Sequence, residues 1–146
     1  MRNTTTAQIL DIVKNKGTLN GLDLTNINLN YASLVNVEIC NTCLEKADLT
    51  HADLSGAVLQ NTSFVGANMQ NINLTAADLS CANLTKADLT GADLKNSNLT
   101  NVIMRETCLV DANLTGAKID IKTLKKALLH NTTMPDGKIY KYMRFF

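Results

Sequence analysis

From Leu24 to Ile119 an apolar residue falls at every fifth position without a single insertion, twenty centres in one register. With apolar residues at 45% of the chain, such a run would arise by chance roughly once in ten million trials. Two residues before each centre the side chain is mostly small. Eleven of these are Ala and three are Thr, with Ser97 and the larger Leu22, Ile27, Val37, Ile72 and Val102 at the rest. The unit reads Ala-(Asp/Asn)-Leu-x-x, as in Ala47-Asp48-Leu49-Thr50-His51. All sixteen charged residues between 22 and 121 avoid both the centre and the position two before it. Two positions of five are therefore predicted to point inward and three outward.

A period of five suits neither ordinary element. On an α-helix five residues overshoot a full turn by ~140°, which would smear the apolar stripe around the circumference. On a strand the Ala and Leu of one unit share a face, but five is odd and the next unit would point outward. The chain must turn a corner in every unit. The residue two after each centre is Gly or Asn in eleven of twenty units, and these tolerate the positive φ that a type II turn requires at its third position. Short strands joined by regular corners, with a line of Leu and a line of Ala inside, predict an all-β solenoid.

On this A(D/N)LXX motif, held over 22–121, the sequence resembles the pentapeptide-repeat family and, in the turn at 132–137, its cyanobacterial members. The resemblance implies a right-handed quadrilateral β-helix with four units per coil, hence about five coils and, at ~4.8 Å per coil, a shaft of ~24 Å. It also implies a scaffold whose partners differ from member to member. A solenoid needs covered ends, so three segments are expected: 1–21 as an N-terminal capping helix and lead-in, 22–121 as the β-helix, and 122–146 as a C-terminal capping helix, turn and basic, aromatic tail. The first helix would be N-capped within Thr4–Thr6, bury a side made of Ile9, Leu10, Ile12 and Val13, and close at Gly17. The second would run from Lys122 to His130 after Asp120, with Leu124, Ala127 and Leu128 at helical spacing.

Net charge is +1 overall, but 22–121 carries a net −6, 1–21 a net +2 and 122–146 a net +5. If units twenty residues apart stack, the face centred on Leu29, Leu49, Met69, Leu89 and Leu109 bears Asp48, Asp88 and Asp111 and no base. Some family members resemble DNA and bind type II topoisomerases. A DNA-mimicking modulator of DNA gyrase is thus the alternative function, although three carboxylates fall far short of one charge per ~1.7 Å of duplex. The lysines at 122, 125, 126, 138 and 141 and Arg144 are expected to solvate the cap, not to bind nucleic acid. Four of the six aromatics, Tyr140, Tyr142, Phe145 and Phe146, lie in the last seven residues. They are expected to fold over the last coil, the sharper reading being a homodimer or partner contact.

The chemistry-bearing residues do not converge. Cys40-x-x-Cys43 straddles one corner, with no second pair or His to complete a zinc site. Cys81 and Cys108 fit no disulfide framework, so four free thiols in a reducing compartment are expected. His51 and His130 have no nucleophile and acid beside them. No phosphate-cradling loop, secretory signal core or membrane span is present in the sequence. The expectation is a soluble, cytoplasmic, non-catalytic binding module without metal or cofactor, acting on an unidentified protein partner through Asp48, Asp88, Asp111, Tyr140, Tyr142, Phe145 and Phe146.

Overall fold

The structure, a computed structural model, describes residues 4–141. Its organising feature is a ladder of parallel bridges that step by twenty residues, from Asp23 with Cys43 through Asn98 with Lys118. Each rung is a pair of backbone hydrogen bonds, as where Leu24 donates to the Cys43 carbonyl at 2.7 Å and Cys43 donates to the Leu22 carbonyl at 2.9 Å. Four five-residue units with a corner in each fill one twenty-residue step, so the coil has four sides.

The corners follow the sequence logic and exceed it. Every residue two after a centre, from Asn26 to Gly116, has positive φ, including Tyr31, Lys46, Ala76 and Glu106. The N–H of the following residue closes nearly every turn, as from Ile27 to the Leu24 carbonyl at 3.1 Å, the exception being the corner before Thr42. A non-glycine left-handed residue costs ~1–2 kcal/mol in isolation. Here the stacked coil over-determines it: the Tyr31 N–H, for instance, donates to the Thr50 carbonyl at 2.9 Å.

The core is the two inward lines. Nineteen of the twenty centres are buried, Ile119 being half-buried, and so are nineteen of the small-position residues, all but Leu22. The small position accommodates Thr where a hydroxyl is useful. Thr42, Thr107 and Thr132 donate to the carbonyls of Leu19, Leu84 and Leu109 at 2.7–2.8 Å. Thr62 does the same to Ile39.

Helix α1 spans Thr6–Lys14, with Thr5 as N-cap in a capping box with Gln8. Ile9 is fully buried and Ile12 and Val13 pack against the core, while Leu10 stays 40% exposed. Thr6 ties the helix to the coil through its hydroxyl, which donates to the Asn28 carbonyl at 2.6 Å. The left-handed closing residue is Lys16, not Gly17. Gly17 comes next and donates to the Ile12 carbonyl at 2.8 Å, which completes a Schellman motif. A Cβ there would meet Ile12 Cγ2 at 2.7 Å, so glycine is required for close approach.

At the other end the helix expected over Lys122–His130 is one turn, α2 (Ile121–Leu124), N-capped by Asp120. Beyond it the ladder resumes, with Cys108 bridging Leu128 and Asn113 bridging Thr133. Leu129 is buried and Leu128 faces outward. The five-residue register of Ile119, Leu124, Leu129 and Met134 thus overrides the helical spacing of Leu124, Ala127 and Leu128. The chain ends its described course in a small antiparallel pair, β1 (Thr132–Thr133) with β2 (Ile139–Tyr140), joined through Gly137 at φ +80°.

Candidate interaction surface

The outward position before each centre forms a column along the shaft, and one such column runs Asn28, Asp48, Asn68, Asp88, Cys108, Leu128. Its carboxylates turn back on their own corners. Asp48 Oδ1 accepts the Thr50 N–H at 3.0 Å and the Thr50 hydroxyl at 2.6 Å, and Asp88 repeats this with Thr90. Asp88 Oδ2 also accepts Gln70 Nε2 at 2.6 Å. Burial opposes ionisation of Asp88, but the Thr90 hydroxyl, the Gln70 amide and the Thr90 N–H outweigh it and hold the carboxyl below its ordinary range. An Asp or Asn before the centre is thus a backbone acceptor first and a surface charge second.

Asp111 belongs to a different column, the corner positions Tyr31, His51, Asn71, Gly91, Asp111 and Asn131, and accepts Asn131 Nδ2 at 2.6 Å. The ring of Tyr31 stacks on that of His51 in the same column, centroids 4.9 Å apart. The structure therefore places Asp48 and Asp88 in one line with Asn68 between them, ~10 Å apart, and sets Asp111 aside. It does not bring the three into a continuous stripe.

Of the expected C-terminal aromatics, Tyr140 is half-buried against the core, while Tyr142, Phe145 and Phe146 lie outside the described residues. Beside Tyr140 are two residues that the sequence reading did not single out, Ile121 at 52% exposure and Ile139 at 53%. With Met134, Pro135 and Tyr140 they border a cavity of about 370 Å³. A signal for Ile121 existed: it is the one β-branched residue among the twenty corner positions, and such a residue resists positive φ. The coil departs from its turn there and forms α2.

Among the described residues no three His, Cys, Asp or Glu side chains group to hold a metal ion. All four cysteines are free. Cys43 Sγ lies 3.2 Å from the Thr25 hydroxyl, and Cys40 Sγ donates to the Val58 carbonyl at 3.7 Å. No described helix is long and apolar enough to cross a membrane.

A family model described as pentapeptide repeats matches residues 42–80 and 77–116, in eight copies. The chain belongs to the pentapeptide-repeat family. The twenty-residue ladder is accordingly that of the family's right-handed quadrilateral β-helix. Among solved structures the chain is similar to a pentapeptide repeat protein of the Arabidopsis thaliana thylakoid lumen, at 24% identity over 83% of this chain and 86% of that one, TM-score 0.62. Another similar structure is a pentapeptide repeat protein from Nostoc, at 27% identity over 77% and 84%, TM-score 0.48. QnrB1, a plasmid-mediated fluoroquinolone resistance protein, matches at 19% identity over 80% and 70%, TM-score 0.44. Among curated protein sequences none matches significantly.

Proposed function

We propose that this pentapeptide-repeat protein is a non-catalytic, cytoplasmic scaffold that binds a protein partner through its C-terminal end. In this reading the twenty units of 22–121 form five coils of a stiff shaft, α1 covers the first coil, and the residues from 121 onward present the contact surface. The observation that carries it is the exposed apolar pair Ile121 and Ile139 beside the 370 Å³ cavity. Two large aliphatic residues more than half exposed on one cavity mark an interaction site better than the scattered exposed side chains of the shaft, such as Tyr31 and Ile103.

The test compares what wild type and the double variant Ile121→Asp, Ile139→Asp retain from an extract of the source cells, alongside sedimentation equilibrium of each. A partner retained only by wild type supports the reading. A mass of two chains for wild type alone identifies the partner as a second copy. Identical retention and identical mass for both proteins would overturn it.

DNA mimicry toward a type II topoisomerase such as DNA gyrase is the second reading, favoured by the absence of bases from the Asp48–Asp88 face. Against it stands the engagement of both carboxylates with their own turns. A supercoiling assay in which the protein leaves gyrase activity unchanged would remove it.

A further inference from the structure

Where the shaft meets α2 its stacking is out of step. Ile103 bridges Asn83 on one side but forms no rung with residue 123, although the flanking rungs Asn98 with Lys118 and Cys108 with Leu128 are intact. The turn of α2 occupies that place, its Thr123 N–H donating to the Asp120 carbonyl at 3.0 Å. Stacking resumes one residue late, the Glu106 N–H donating to the Lys126 carbonyl at 3.2 Å. Beside this mismatch lies a surface cavity of about 420 Å³, and Asn83, Ile103, Arg105, Thr123 and Lys126 are on its border. Ile103 is 45% exposed there.

The polar groups on this border are donors. Arg105 and Lys126 are exposed, and neither forms an ion pair among the described residues. The Glu106 to Lys126 hydrogen bond sets their backbones side by side, Arg105 being the residue before Glu106. Asn83 Oδ1 accepts the Thr85 N–H at 3.0 Å and the Thr85 hydroxyl at 2.6 Å. Its oxygen is thereby committed to its own corner, and Nδ2 is left to donate. The Thr123 hydroxyl makes no hydrogen bond among the described residues. No carboxylate borders the cavity, and the nearest acid along the chain, Glu106, is drawn to Lys86 at 3.9 Å.

Two cations, an amide and a hydroxyl around one exposed aliphatic side chain match an organic anion. Charge decides which kind. A carboxylate brings one negative charge and leaves a cation unmatched, whereas a phosphomonoester brings about −1.5 to −2 at neutral pH and three acceptor oxygens. The planar fork of Arg105 suits two of those oxygens, and Lys126 acts as a point charge. We propose that this cleft binds a small organic phosphomonoester, its phosphate held by Arg105, Lys126, Asn83 Nδ2 and the Thr123 hydroxyl, its organic group lying on Ile103. Binding uses accessible side chains and needs no movement of α2. It is independent of the protein-binding reading and makes no use of the Ile121 and Ile139 surface.

The experiment titrates the full ¹⁵N-labelled chain with phenyl phosphate, benzoate and inorganic phosphate at physiological ionic strength. Saturable shifts of the Ile103, Arg105, Thr123 and Lys126 amides are expected with phenyl phosphate. It should bind at least about tenfold more tightly than benzoate, and more tightly than inorganic phosphate, which has no group to lay on Ile103. Arg105→Gln combined with Lys126→Gln should weaken that binding by at least about tenfold. Lys46→Gln combined with Lys118→Gln removes the same charge at exposed positions off the cavity and should bind as wild type does. Equal losses in the two double variants would reduce the effect to diffuse surface charge and overturn the proposal. So would benzoate or inorganic phosphate binding as tightly as phenyl phosphate, or the lack of a saturable shift at those four amides.

Discussion

The carboxamide of Asn36 lies against Gly56, one coil further along the shaft, so closely that a Cβ on Gly56 would collide with Asn36 Oδ1. The same pairing recurs between Asn71 and Gly91 and between Asn96 and Gly116. Gly56→Ala combines that collision with an alanine at φ +67°, and is expected to cost about 2 kcal/mol in chemical denaturation. Gly21→Ala at φ +72° meets nothing within 4 Å and should cost only about 1 kcal/mol. Equal losses would show that backbone strain alone matters and that the Asn36 contact is irrelevant.

Thr62 is fully buried and donates its hydroxyl to the Ile39 carbonyl, which receives no backbone N–H among the described residues. Thr62→Val keeps the shape and removes the donor. A loss of about 1–3 kcal/mol is expected from the stranded carbonyl, read from the thermal and urea midpoints. Wild-type midpoints would mean that the hydroxyl is dispensable.

Acid sensitivity should reside in the turn carboxylates. Folded Asp88 titrates below the ordinary value of 3.8, as does Asp78, where burial is outweighed by hydrogen bonds from Gln60, Ser80 and Asn98. The stabilisation they add is complete above the unfolded value and is lost as pH falls through the lower folded values. Between pH 7 and pH 2 the urea midpoint of the wild type should fall below about pH 4. Asp88→Asn keeps an oxygen for the Thr90 N–H but cannot titrate, so its decline on acidification should be shallower. Parallel pH profiles for the two proteins would assign the acid response elsewhere.

Leu79 sits in mid-shaft with no exposed surface. Leu79→Asp forfeits ~1.5–3 kcal/mol of apolar burial and places a carboxylate among Leu and Ala side chains. The expected outcome is failure to fold, seen as loss of the far-UV β signal and aggregation during purification. A variant of wild-type stability would refute the inward line of centres.

Much of this fold was legible because one coil repeats the same local problem. The apolar centres, the small position and the corner each recur twenty times, and chance cannot imitate that. Reading Gly and Asn at the corner underestimated the geometry. Tyr31, Lys46 and Glu106 adopt positive φ because the stacked coil enforces it, a constraint that lies twenty residues away in sequence. The end of the shaft was harder. Leu124, Ala127 and Leu128 satisfy helical spacing, and only the unbroken register of Leu124, Leu129 and Met134 distinguishes a continuing coil. At the candidate surface, composition located the acids but could not reveal that Asp48 and Asp88 serve their own turns, because the acceptor geometry depends on the corner.

The step of twenty also sets how such a chain can change length. Inserting or deleting twenty residues leaves every later column facing the same way, so Asp88 would remain in line with Asp48. Adding a single unit of five would swing everything beyond it through a quarter turn, opposing unlike corners across the insertion and separating an Asn from its glycine wherever it falls between them. Growth by whole coils is therefore neutral to the pattern of faces, and growth by one side of a coil rewrites it.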